Sequence, residues 1–130
     1  MENQDRAMRY ARQIARMIQV DTVRRPGADK ENFDRLHAVM AELFPRVFEG
    51  CRRWEFESSL LFCWPGKTRR ALVLMSHQDV VEAPGAWKYP PFSGTIAEGK
   101  LWGRGALDVK GNLHDIFQAV EELMEAGYTP

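Results

Sequence analysis

Three side chains in this 130-residue sequence have the types and spacing to hold a divalent metal. His77 and Asp79 stand one residue apart in Ser76-His77-Gln78-Asp79, directly after the apolar run Ala71 to Met75, and Asp108 follows the turn Gly103-Arg104-Gly105. Imidazole nitrogen together with carboxylate oxygen is a donor set that zinc, cobalt or manganese accepts. In an extended strand, residues i and i+2 face the same side. Asp79 can then hold the second imidazole nitrogen of His77, fix its tautomer and raise its basicity toward a metal. Asp108 has two oxygens with which to bridge two cations, and a metal pair can polarise a carbonyl and acidify water. The plain alternative is that Gly103-Arg104-Gly105 is only a turn and Asp108 only a helix N-cap. A lone H-x-D pair is a weak signal.

The surrounding pattern must position these residues. Apolar groups recur at helical spacing from about residue 3 to residue 20 (Tyr10, Ala11, Ile14, Met17, Ile18), which predicts a first helix. Pro26 and Gly27 break it, and Asp29 is placed to N-cap a second helix that carries Phe33, Leu36, Met40 and Phe44 and stops near Pro45. The stretch Trp54 to Trp64 reads as one strand, Pro65-Gly66-Lys67 as a tight turn, and Arg69 to His77 as a second strand. The core of that second strand is apolar without alternation, as expected of a strand covered on both faces. A hairpin is expected over 94–103, turning at Glu98-Gly99, and a last amphipathic helix carries Leu113, Phe117 and Val120 and ends at Gly127. Helix, strands, helix in this order predict an α/β fold, a mixed sheet covered by helices. In such folds active sites gather at strand ends, where His77, Asp79 and Asp108 fall. His37 and His114 sit among polar helix residues and read as surface; Glu121-Glu122 reads as a solvated helix face.

Bulk composition narrows the function classes. Apolar residues make up 45% and charged residues 28%, which is globular composition. Lys+Arg and Asp+Glu are both 18, so no net charge recommends nucleic acid or an anionic membrane as partner. Two cysteines, Cys51 and Cys63, are too few for a disulfide scaffold and fit free thiols. The polar N-terminus is unlike a secretory signal, and no apolar run approaches the roughly 20 residues of a membrane span. The expected location is cytoplasmic.

Residues 72–130 resemble the zinc metallopeptidase family of aminoacylase, carboxypeptidase S, acetylornithine deacetylase and related dipeptidases. The resemblance rests on four linked motifs in family order: His77/Asp79; Trp87 with Pro90, Pro91 and Phe92; Gly99, Leu101, Trp102, Gly103, Arg104 and Gly105; and Asp108, Lys110 and Gly111. It implies that His77 binds one metal, that Asp79 orients His77 as a catalytic group, and that Asp108 bridges two Zn2+ ions, with Co2+ or Mn2+ as substitutes. It further implies a cis bond after Asp108, although many members carry a second Asp where this chain has Val109. Arg104 is expected to brace loops. Trp102 and Gly105-Ala106-Leu107 look nearest to the carboxypeptidase S and dipeptidase branch. The implied substrates are N-acyl amino acids or short peptides, and a homodimer is a family-like assembly.

The family's Glu-Glu pair, further acidic ligand and late histidine have no counterpart in residues 1–130, since Glu121-Glu122 lies too soon after Asp108. The sequence therefore reads as the N-terminal portion of a metallopeptidase catalytic domain, without the lid or dimerisation domain. Alone it is expected to be inactive and prone to self-association through uncovered sheet edge. The competing reading is a catalytically inactive remnant that serves as a binding or assembly module.

Overall fold

The computed structural model describes residues 2–27 and 29–130. Helix α1 (Glu2–Ile18) turns one face inward through Ala15, Met17 and Ile18. Helix α2 (Asp29–Leu43) does so through Phe33, Leu36 and Met40. The second helix stops at Leu43, near Pro45 as expected, and the chain does not leave helical conformation for long. Pro45 opens a short helix α3 (Pro45–Gly50), occupying the first turn, where its missing N–H costs nothing. Helix α4 (Lys110–Glu125) closes as its sequence implies: Gly127 takes φ 73°, and the amides of Gly127 and Tyr128 return to the Met124 and Leu123 carbonyls.

The four helices share one core built from Met17, Val20, Leu36, Met40, Phe44, Val47 and Leu113. Phe44 lies at its centre, fully buried, with the Phe117 ring 5.4 Å and the His114 ring 5.7 Å away. Burying a side chain of this size contributes roughly 1.5–3 kcal/mol, so the helices hold the molecule together.

The strands depart from the sequence reading. Trp54 to Trp64 does not run as one strand. Glu57 adopts φ 54°, and the chain folds there into an antiparallel ribbon of β1 (Arg52–Phe56) and β2 (Ser59–Cys63), with Trp54 opposite Leu61. Phe62 carries this ribbon into the helices, its ring 5.0 Å from Phe48 and 5.2 Å from Phe117, and the Arg53 guanidinium stacks on Phe48 at 5.3 Å. The second ribbon, β3 (Thr95–Ala97) with β4 (Lys100–Trp102), turns at Glu98-Gly99 as expected, both residues at positive φ.

The buried strand expected over 69–77 is corrected. The segment belongs to no strand; among the described residues the chain's isolated bridge is the parallel one of Val80 with Val23. Leu72 is 84% and Met75 81% exposed. The fold is thus mixed α/β, but its described strands form two separate two-stranded ribbons rather than one mixed sheet. A strand is stable only beside another strand, and an apolar run specifies burial without supplying the neighbour.

Two other expectations are corrected within α4. His114 is wholly buried, its Nε2 3.0 Å from Gln13 Oε1 and its Nδ1 3.2 Å from Asp115 Oδ1. Glu121 is buried too and accepts hydrogen bonds from the backbone amides of Arg46 (3.1 Å) and Val47 (3.0 Å) and from the Arg46 guanidinium (3.2 Å). It neutralises the open amide end of α3. Glu122 is half-buried and accepts from Tyr10 and Gln118.

Burial holds the His114 imidazole below its ordinary value of 6.5, the Asp115 and Glu122 carboxylates only partly offsetting it. The native state therefore takes up this proton less readily than the unfolded chain. Stability falls as pH drops from about 6.5 through the native pKa, and is unaffected by this group above 6.5. Urea denaturation at pH 7.5 and 5.5 should show the loss at 5.5, reduced in His114→Gln. In the same assay Glu121→Ala should cost about 1.5–3 kcal/mol, the range for hydrogen bonds to a charged acceptor.

Candidate metal centre

Three loops meet at the end of α1. The segment carrying His77 and Asp79 is tied to residue 22: Val80 N donates to the Thr22 carbonyl (3.2 Å), and the buried Thr22 hydroxyl donates to the Gln78 carbonyl (2.7 Å). The turn after β4 lies against α1 so closely that a Cβ on Gly103 would stand 2.6 Å from Ile18 Cγ2. Gly105, at φ 87°, is equally restricted, with Val80 Cγ1 2.9 Å from where its Cβ would be. Here the glycines are a steric requirement.

Within this frame the predicted residues come together. His77 Nε2 is 3.0 Å from Asp108 Oδ1. His77 Nδ1 is 3.0 Å from the Asp79 carbonyl and 3.4 Å from its carboxylate oxygen Oδ1. Asp79 thus holds the ring chiefly through its backbone, with the carboxylate behind. The other carboxylate oxygen lies 3.8 Å from Arg24 Nε, and the Arg24 guanidinium stacks on Phe33 at 5.2 Å.

Asp108 is not an N-cap. Val109 occupies the cap position of α4 with no side-chain cap bond, and the Asp108 side chain is 89% exposed and directed at His77. The Asp108–Val109 bond is cis, as the family resemblance implies.

Both imidazole nitrogens of His77 face acceptors, which favours the doubly protonated ring. Partial burial pulls its pKa down, but the hydrogen bonds to the Asp79 carbonyl and the Asp108 carboxylate, with both negative charges, outweigh this and raise it above 6.5. A metal ion would take the place of the Nε2 proton. Ligands bound about 2.0–2.1 Å from one tetrahedral zinc lie roughly 3.3 Å apart, close to the observed 3.0 Å. The donors and their separation fit zinc. Among the described residues no group of three His, Cys, Asp or Glu stands together as a metal site.

A cleft of about 370 Å³ opens at this pair, lined by His77, Asp79 and Asp108 together with Val81, Trp87 and Leu107. Arg104 shapes it as a brace. Its backbone amide donates to Pro91 (2.7 Å), its Nη2 donates to the Glu82 carbonyl (3.1 Å), and its guanidinium covers Trp87 at 5.1 Å.

Sequence reasoning missed the residues behind the site. His37, expected at the surface, is half-buried with Nε2 2.6 Å from Gln78 Oε1, while Gln78 Nε2 donates to the Ser58 carbonyl (2.6 Å). The signal was available: if His77 and Asp79 share one face, Gln78 must point to the other and find partners there. Lys110 was noted only as a motif residue. It is fully buried, and burial lowers its pKa to about 8.

Comparison with known proteins identifies the family. Residues 73–130 match peptidase family M20/M25/M40. Carboxypeptidase S of Saccharomyces cerevisiae is 36% identical over 109 residues, covering 77% of this chain and 19% of the relative. An N-fatty-acyl-amino acid synthase/hydrolase of Danio rerio is 36% identical over 125 residues (87% and 24%), and a succinyl-diaminopimelate desuccinylase of Maricaulis maris 34% over 109 (81% and 27%). The chain belongs to peptidase family M20/M25/M40, a family of hydrolytic enzymes. It spans about a fifth to a quarter of the length of these relatives.

Since the Asp108 carboxylate helps hold the His77 proton, Asp108→Asn should lower the His77 pKa toward 6.5. An NMR pH titration of the ring resonances measures this; an unchanged midpoint would show that the contact does not persist in solution.

Proposed function

We propose that residues 1–130 form the N-terminal portion of the catalytic domain of a zinc-dependent amidohydrolase or exopeptidase, which hydrolyses an amide or peptide bond in a small N-acyl amino acid or short peptide. The observation that carries this reading is the 3.0 Å approach of His77 Nε2 to Asp108 Oδ1 at the mouth of an open cleft. Membership of a family whose relatives are named as carboxypeptidase, hydrolase and desuccinylase supports the reaction class.

In this reading His77 and Asp108 would hold Zn2+ in a two-metal site, Asp108 offering both carboxylate oxygens, and Asp79 keeps the His77 proton on Nδ1 so that Nε2 is free to bind. Zinc in such a site supplies a Lewis acid that polarises the scissile carbonyl and acidifies water. Arg104 and Trp87 keep the cleft wall in place beside the ligands, and Val81 and Leu107 offer apolar contact to a substrate. The remaining ligands and the general base come from sequence outside these residues, in keeping with the fraction of the relatives that the chain spans. We place the protein in the cytoplasm, on the strength of its free thiols, Cys51 and Cys63. Among the described residues no helix is long and apolar enough to cross a membrane. A homodimer is the proposed assembly of the whole protein.

Zinc titration of the chain should shift the His77 ring resonances, and His77→Ala should abolish the shifts at Asp108. Protons compete for His77, whose pKa is raised, so affinity should weaken as pH falls from 8 to 6. Zinc binding indifferent to His77→Ala would overturn the site. The exposed run Leu72 to Met75 should also drive concentration-dependent self-association, detectable by light scattering and suppressed by the double substitution Leu72→Ser and Leu74→Ser.

A further inference from the structure

Lys110 begins α4, where a lysine would ordinarily reach solvent, yet its side chain is wholly buried. Its ammonium donates to the carbonyls of Met17 (3.0 Å) and Val20 (2.6 Å), at the C-terminal end of α1. A cation is well placed there, because the last carbonyls of a helix lack backbone partners and carry partial negative charge. At its other end the residue closes the turn that holds Asp108: Lys110 N donates to the Gly105 carbonyl (2.8 Å), and the aliphatic stem fills the space over Gly105. The His77 segment is fastened to the same place through Thr22. Both halves of the His77–Asp108 pair are therefore referenced to residues 17–22, one through Thr22 and the other through Lys110.

We infer that Lys110 is a positioning residue for Asp108: its buried ammonium docks the Gly105–Lys110 turn on the end of α1 and thereby sets the distance from Asp108 to His77. The functional meaning of this role rests on the metal-site reading above, but the geometric role does not. A methionine of similar length would fill the space and leave the two carbonyls without their donor. The turn would then lose its polar anchor while every side chain of the apolar core is retained.

The test compares the 130-residue chain with Lys110→Met and with Glu121→Gln, which weakens the cap on α3 near the other end of α4. Three quantities are read: melting temperature, the nuclear Overhauser contact between the His77 ring and the Asp108 β-protons without metal, and zinc affinity at His77. Lys110→Met is expected to keep its helical core, lose the contact and bind zinc at least about tenfold more weakly, the usual cost of removing support behind a ligand. Glu121→Gln is expected to lower the melting temperature while keeping contact and affinity. If Lys110→Met does not fold, Lys110→Gln, which retains one donor, is expected to fold and show a partial loss of the contact. The inference is overturned if Lys110→Met (or Lys110→Gln in its place) keeps the contact, or if Glu121→Gln loses it in proportion to its own loss of stability. If the contact breaks in Lys110→Met while wild-type zinc binding ignores His77→Ala, the positioning role stands and the metal-site reading falls.

Discussion

The structure depends on how closely the turn after β4 can approach α1. There is no room for a Cβ at Gly103 against Ile18, at Gly94 against the Ala15 carbonyl, or at Gly111 against the Ala106 carbonyl. With these approaches in place, the β3–β4 ribbon, the Gly103–Asp108 turn and the first turn of α4 lie against one helix end. An added methyl would push the turn outward and carry Asp108 away from His77. The requirement is steric and local, which is why short motifs with fixed glycines can specify a site assembled from segments far apart in sequence.

Electrostatics at that junction follow from the same packing. The end of α1 is a place of partial negative charge, and the chain puts the Lys110 ammonium there. At the start of α3 the sign is opposite, and the chain puts the Glu121 carboxylate there. Both residues lie on α4, so one helix supplies the compensating charge for the ends of two others. A buried charge is tolerated only when hydrogen-bonded, and each of these two meets that condition with backbone groups.

How much of this could be read from sequence depends on the range of the determining contact. The spans of α1, α2 and α4, the stop at Gly127 and the turn at Glu98-Gly99 are fixed by neighbours a few residues away, and each was legible. The proximity of His77 to Asp108 was legible as a resemblance, through linked motifs rather than any single one. Long-range facts were not. Leu72 to Met75 has the composition of a buried strand, but a strand exists only beside another, and no sequence window names the neighbour. His114 and Glu121 have polar side chains on what appeared to be an outer face; only the position of α1 and α3 decides that the face is inner. Arg24, one of a pair of surface arginines by composition, stands near Asp79 because Phe33 offers its guanidinium a ring to lie on.

The separateness of the two ribbons has a consequence for how the molecule opens. They share no ladder, so the amides of β1–β2 and of β3–β4 belong to different cooperative units, one held by Phe62 against α3 and α4, the other by contact with α1. The β1–β2 ribbon is nevertheless joined to the site where the Ser58 carbonyl in its turn receives the Gln78 amide. Fraying of β1–β2 frees that amide and loosens the backbone between His77 and Asp79, whereas Asp108 stays with the β3–β4 unit. Amide exchange would register the two ligands of the pair as belonging to units of different lifetime.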